Sequence, residues 1–224
     1  MLNTRRINTG VTSGLEWVYA SAAKARGIVF VPPLIGGHAL QQLRELRHLL
    51  YHQFSLFSFN YAGHGHSEGS FCLKTSLINT QHMLNLALDY GARWKLPVFG
   101  VASCFAAMPL LKAAAVRGEP MTRIVLINAV PYWRLARATG HFLHFWRRSD
   151  SWRPTRRGLV EAVRAYRDNL LPGLVHRRKS FGVLARDRVH WSRVLCELFS
   201  QRIVPNAAVR YTPVLCAYGQ RDHL

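Results

Sequence analysis

From Gly27 onward the chain alternates short β-like runs with longer runs of helical period, and this alternation constrains the fold more than any other feature. Parallel strands cannot be joined by a tight turn; they need a crossover of about a dozen residues or more, which a helix supplies. The pattern therefore predicts an α/β fold with a mostly parallel central sheet and flanking helices. Gly27-Ile-Val-Phe-Val-Pro32 reads as a buried strand. After a turn at Gly36-Gly37, Leu40, Leu43, Leu46 and Leu50 recur every three or four residues and predict one apolar helix face. Phe54 to Phe59 reads as the next strand, followed by a Gly/His-rich loop from Asn60 to Gly69. Ser76 is placed to cap a helix carrying Leu77, Leu84 and Leu88, with Gly91 at its end. Pro97 opens a strand to Ala102, the apolar run from Phe105 to Val116 is its helix, and Arg123 to Val130 and Thr212 to Tyr218 are two further strands.

With 224 residues, 49% of them hydrophobic, the chain has enough apolar material for a substantial core, which excludes a disordered or fibrous protein. No run approaches the roughly 20 apolar residues that span a bilayer, and Met-Leu-Asn-Thr-Arg-Arg leads into polar sequence, so a soluble, cytoplasmic protein is expected. Cys72, Cys104, Cys196 and Cys216 show neither paired CxxC nor zinc-ligand spacing, so no metal, no disulfide framework and no cofactor are expected.

The 30 Lys and Arg outnumber the 11 Asp and Glu, and residues 131 to 212 hold 17 of the former and 5 of the latter. That stretch interleaves arginines with Trp133, Phe142, Trp146 and Trp191, and places Leu159, Val163, Tyr166 and Leu170 on one helical face. It has too many aromatics for a linker and reads as a helical cap inserted at 131–212 into a core formed by 1–130 and 213–224.

Pro97-Val-Phe-Gly-Val-Ala-Ser-Cys-Phe-Ala-Ala107 packs a strand, a sharp turn and a helix into a short span. The central residue of such a turn sits in strained backbone, and the residues two before and two after it must be small. Centred on Cys104 the flanks are Ala102 and Ala106; centred on Ser103 they are Val101 and Phe105, which are too large. Sterics thus favour Cys104, with Ser103 the alternative nucleophile. A thiol there is chemically apt, since a thiolate at a helix N-terminus is a strong nucleophile. The plain alternative is a small buried cysteine in an Ala-rich seam.

These motifs resemble the α/β-hydrolase superfamily, in its serine aminopeptidase and monoglyceride lipase-like branch. Phe59-Asn-Tyr-Ala-Gly-His-Gly-His-Ser-Glu-Gly69 is similar to that branch's D-x-R-G-x-G-x-S-x-G loop, with Asn60 for Asp and Ala62 for Arg. Ala102-Ser-Cys-Phe-Ala106 resembles the G-x-S-x-G elbow, with cysteine for serine, and Val31-Pro-Pro-Leu-Ile-Gly-Gly37 takes the place of the H-G-x oxyanion loop. The resemblance implies oxyanion donors at the backbone N–H groups of Leu34 and Phe105; Pro33 has no N–H to offer, whereas Leu34 does. Thr212-Pro-Val-Leu-Cys-Ala-Tyr-Gly-Gln-Arg-Asp222 is similar to the strand and turn that present the acid, which implies Asp222 in that role; the alternative is an ordinary turn aspartate. The family's histidine follows the acid after a further strand, so it is expected beyond Leu224, with the last strand and helix of the sheet missing. His223 adjoins Asp222 and is poorly placed to bridge it to Cys104, while His64 and His66 are expected at the pocket edge. Without a base a thiol, ordinarily near pKa about 8.5, stays mostly protonated, so turnover by this chain is expected to be weak.

The implied activity is hydrolysis or transfer of an acyl group from an ester or thioester. Cap aromatics would line an acyl channel, and the arginines would grip coenzyme A or carrier-protein phosphates, or an anionic membrane surface. No nucleic-acid motif is present. The competing expectation is an α/β-hydrolase-like protein that binds an acyl ligand or an anionic surface without turnover. A third is a truncated product that folds poorly.

Overall fold

The computed structural model describes residues 6–34, 37–116, 121–129, 193, 194, 196, 197 and 211–218. Among the described residues the strands are β1 (Ile7–Thr12), β2 (Leu15–Ala20), β3 (Gly27–Val31), β4 (Phe54–Phe59), β5 (Val98–Ser103), β6 (Arg123–Ile127) and β7 (Val214–Ala217). The helices are α1 (Ala39–Glu45), α2 (His48–Tyr51), α3 (Leu73–Trp94) and α4 (Ala107–Val116), the last preceded by a single 3-10 turn at Cys104–Ala106. One sheet runs in the order β1-β2-β4-β3-β5-β6-β7. β3 pairs in parallel with β4 and β5, β6 with β5 and β7, while β1-β2 and β2-β4 are antiparallel.

The expected α/β architecture is thus present, together with a feature the first 26 residues did not reveal. Thr12 pairs with Leu15 across Ser13 (φ 52°) and Gly14 (φ 72°), a two-residue turn whose positive φ values match the twist of a hairpin. This hairpin adds two antiparallel strands beside β4.

β3 is buried along its whole length because helices cover both faces. Ile28 and Phe30 pack with Phe57, Phe59, Leu84 and Leu110 on the α3 and α4 side. Val29 and Val31 pack with Leu56, Ala39 and Leu43 on the α1 side. The expected continuous helix after β3 is broken into α1 and α2, and Leu40 is 62% exposed; the buried positions of α1 are Ala39, Gln42 and Leu43.

α3 also differs from expectation at both ends. Cys72 is its N-cap: Thr75 N–H donates to Cys72 Sγ at 3.5 Å and Cys72 N–H donates to Thr75 Oγ1 at 2.9 Å. Ser76 lies inside the first turn, where its hydroxyl donates to the Leu73 carbonyl at 2.7 Å. The helix passes through Gly91 and ends at Lys95 in the left-handed region (φ 53°). Gly91 serves packing: a Cβ there would lie 2.6 Å from Val98 Cγ2 and 2.9 Å from the Leu96 carbonyl.

Of the expected cap, only residues 193, 194, 196, 197, 211 and 212 are described; Trp133, Trp146, Trp191 and the face of Leu159, Val163, Tyr166 and Leu170 lie outside the described residues. The described part docks onto α3. Glu197 Oε2 accepts from Leu73 N–H at 2.6 Å and from Lys74 N–H at 3.3 Å, satisfying donors that a helix start leaves open, while Val194 is buried in the core.

Two expectations follow from this packing. Gly91→Ala gains about 1 kcal/mol of helix propensity but incurs about 1–3 kcal/mol of overpacking against β5, so urea unfolding should show net destabilisation. Glu197→Ala removes a cap on α3 and should lower stability by about 1–2 kcal/mol in the same measurement.

Candidate functional site

Because β3, β4 and β5 are parallel, the segments that follow them emerge on the same side of the sheet. Leu34 leaves β3 and Cys104 leaves β5 from strands about 4.8 Å apart, and the 60–69 loop leaves β4 next to them. β6 and β7 end on this edge too, where Asn128 N–H donates to the Ala217 carbonyl at 2.8 Å. Asp222 and His223 follow β7 but lie outside the described residues.

Cys104 adopts φ 46°, a left-handed conformation that costs a non-glycine residue on the order of 1–3 kcal/mol. It is half-buried at the junction of β5 and the 3-10 turn, and its carbonyl accepts from Ala107 N–H. Ala102 and Ala106, two residues to either side, are 1% and 0% exposed. Ser103 has extended backbone (φ -120°, ψ 150°) as the last residue of β5, opposite Ile127. Phe105 is buried and packs its ring 6.2 Å from that of Phe71. Leu34 is half-buried against the same core cluster as Cys104, and its carbonyl accepts from Gly37 N–H at 2.9 Å.

The 60–69 loop is held by a hydrogen-bond network centred on Asn60. Asn60 Oδ1 accepts from Ala39 N–H at 2.8 Å at the start of α1, and Nδ2 donates to Glu16 Oε2 at 2.5 Å. Ser67 Oγ donates to the Asn60 carbonyl at 2.8 Å and accepts from Glu16 N–H at 2.9 Å. Asn79 of α3 accepts from Ala62 N–H at 2.9 Å, tying the far side of the loop. Gly65 (φ 56°) permits the closeness: a Cβ there would lie 2.5 Å from Asn60 Nδ2 and 2.8 Å from Glu16 Oε2. An amide fits this position because it offers one acceptor to α1 and one donor to a carboxylate, whereas an aspartate would face Glu16 with like charge.

His64 and His66 have different settings. His66 is exposed, and its N–H donates to Glu16 Oε2 at 3.1 Å. His64 is 0% exposed, with its ring 5.1 Å from Phe71 and 6.1 Å from the ring of half-buried His38. His64 Nδ1 lies 3.3 Å from the Ala62 carbonyl, a contact in which only a protonated Nδ1 donates. Ring contacts thus run from His38 through His64 and Phe71 to Phe105, next to Cys104. Tyr61 borders this aromatic group; burial pushes its hydroxyl well above the ordinary phenol range, with the Thr80 side chain opposing the shift. Among the described residues no group of three or more His, Cys, Asp or Glu could hold a metal ion, and no helix is long and apolar enough to cross a membrane.

No protein-family model matches the sequence, and no curated protein matches it. Solved structures do. A thermostable carboxyl esterase from Bacillus coagulans superposes over 95% of this chain and 89% of its own, with a TM-score of 0.58 and 12% identity. The fold is that of the α/β-hydrolases. A thioesterase domain from the curacin biosynthetic pathway aligns over 97% of this chain and 84% of its own, at TM-score 0.55 and 14% identity. Against a soluble variant of a monoglyceride lipase from Saccharomyces cerevisiae the chain spans about half the other's length: 64% of this chain, 52% of that one, TM-score 0.49 and 14% identity.

The Glu16 contact and the His38–His64 pair carry no local sequence signal, since Glu16 and Asn60 are 44 residues apart. Asn60→Asp should place two carboxylates together, raising the folded-state pKa of one above its unfolded value. The folded state then holds the extra proton, so stability should be lower than that of the parent protein by about 1–3 kcal/mol near neutral pH and recover as pH falls through the carboxylate range. Urea unfolding at a series of pH values reads this directly.

Proposed function

We propose that this protein hydrolyses or transfers an acyl group from an ester or thioester through an acyl-enzyme on Cys104. The observation that carries the reading is the left-handed backbone of Cys104 at a strand-to-helix turn, between two buried alanines. Such backbone at a strand-to-helix turn matches a nucleophile elbow, which would hold a reactive side chain at the mouth of the parallel sheet. In the mechanism the Cys104 thiolate attacks the substrate carbonyl and the Phe105 and Leu34 N–H groups receive the developing oxyanion. A histidine oriented by Asp222 takes the thiol proton and returns it to the leaving group; water or another acceptor then releases the acyl chain.

The esterase and thioesterase with this fold support ester and thioester chemistry as the reaction class. The concentration of arginine in residues 131 to 212 favours a donor bearing phosphate, such as a coenzyme A or carrier-protein thioester, over an uncharged ester. A second reading, ligand binding without turnover, is favoured by Pro33, which removes one backbone donor from the loop that precedes Leu34.

With the catalytic histidine in place, mixing with an activated aryl ester should release a burst of alcohol stoichiometric with protein. Cys104→Ala should abolish the burst and lower kcat/KM by roughly a thousandfold, while Ser103→Ala retains both. A burst surviving Cys104→Ala would overturn the nucleophile assignment, and acyl-ligand binding with no Cys104-dependent turnover would favour the second reading.

A further inference from the structure

The end of the sheet opposite the candidate site has a character of its own. The turns that feed the parallel strands meet there: Arg26 N–H donates to the Gln53 carbonyl at 2.7 Å, Ile28 N–H to the Pro97 carbonyl at 2.9 Å and Thr122 N–H to the Val98 carbonyl at 2.8 Å. These bonds place the entrances to β3, β4, β5 and β6 side by side, a face about 14 Å across at the strand spacing. Lys24 and Arg26 precede β3, Arg93 and Lys95 precede β5, and Arg123 opens β6; all five are exposed. Among the described residues no Asp or Glu stands in 21–26, 47–53, 92–97 or 121–123. The same face exposes two large aromatics, Tyr51 at 61% and Trp94 at 58%, with the Arg93 guanidinium 5.6 Å from the Trp94 ring. A shallow open depression of about 510 Å³, lined by Arg26, Tyr51, His52 and Phe54 among others, sits between β3 and β4 and sets a cation beside apolar walls.

We propose that this face docks the protein on an anionic phospholipid surface. Five exposed cations outnumber the nearest acids in sequence, Asp89 and Glu119, and supply attraction to acidic headgroups, and exposed Trp and Tyr are side chains that settle at the boundary between headgroup and acyl chain. The geometry favours a bilayer over a nucleic acid: the cations sit on turns, the end of α3 and the start of β6, spread across the sheet's width, and present a broad face instead of a groove that follows one phosphate backbone. β5 separates this face from Cys104 by about 20 Å, so a docked molecule turns its candidate site toward the water. The proposal does not depend on the acyl-transfer reading.

Flotation of the full chain with vesicles of phosphatidylcholine alone, and of phosphatidylcholine mixed with phosphatidylserine, tests it. The protein should float with the anionic vesicles only, and less so as salt rises. Combining Lys24→Gln, Arg26→Gln and Lys95→Gln should lower the partition coefficient about fivefold per cation, on the order of a hundredfold in all. The charge-keeping combination Lys24→Arg, Arg26→Lys and Lys95→Arg should bind like the parent, and Trp94→Ala should bind less. Thermal unfolding checks that each variant is folded, and turnover of a soluble ester should be the same in all four proteins. Unchanged partition of the neutralised variant would overturn the proposal by placing the contact elsewhere, in residues 131 to 212. Equal binding to neutral vesicles, or capture by a single-stranded oligonucleotide in preference to anionic vesicles, would overturn it as well.

Discussion

β3 is hydrogen-bonded in parallel to β4 along one edge and to β5 along the other, and it is buried on both faces. Parallel pairing forces the crossovers to return the chain to one end of the sheet, so the helices must cover its faces. It also brings the exits of β3 to β7 to the other end, where Leu34, the 60–69 loop and Cys104 are gathered from segments far apart in sequence. The molecule thereby acquires two unlike poles. One carries a strained cysteine beside a network of buried polar groups; the other carries exposed cations and aromatics.

At the first pole, a hydrogen-bond network ties the loop to its neighbours alongside aromatic packing. Asn60 joins the start of α1, the β2 carboxylate of Glu16 and the serine that closes its own loop. Gly65 lets the backbone approach this cluster, and Asn79 holds the loop to α3. Each buried donor or acceptor here would cost about 1–3 kcal/mol if left unmatched, so the members constrain one another's identity. The side chain at position 60 cannot be judged apart from position 16: an amide facing a carboxylate is consistent, whereas two carboxylates are not.

The strands of the parallel sheet were legible because they are short apolar runs bounded by turn residues and separated by helical periods. The N-terminal hairpin was not, since β1 is exposed along nearly its whole length and Ile7-Asn-Thr-Gly-Val-Thr12 shows no apolar alternation. Leu40 misled for the converse reason: its spacing matched an apolar face, but the small Ala39 and polar Gln42 lie inward on α1. Ser76 has a capping side chain, yet Cys72 stands one turn earlier with Thr75 to complete the box, and tertiary packing carries α3 past Gly91. At the site, the strained turn could be located from the small residues flanking Cys104, because sterics act over two residues. The partners of Asn60 and the pairing of His38 with His64 are tertiary contacts without local pattern.

The nucleophilic role of Cys104 is tested most directly by mapping where an acyl group lands. The protein is treated briefly with an activated acyl ester, quenched in acid, digested and analysed by peptide mass spectrometry. The acyl mass should appear on the peptide containing Cys104 and be released by hydroxylamine, as a thioester is, with Cys72, Cys196 and Cys216 unmodified. Acylation spread over the exposed Cys196 and Cys216 with none at Cys104, or an adduct on Ser103, would contradict it.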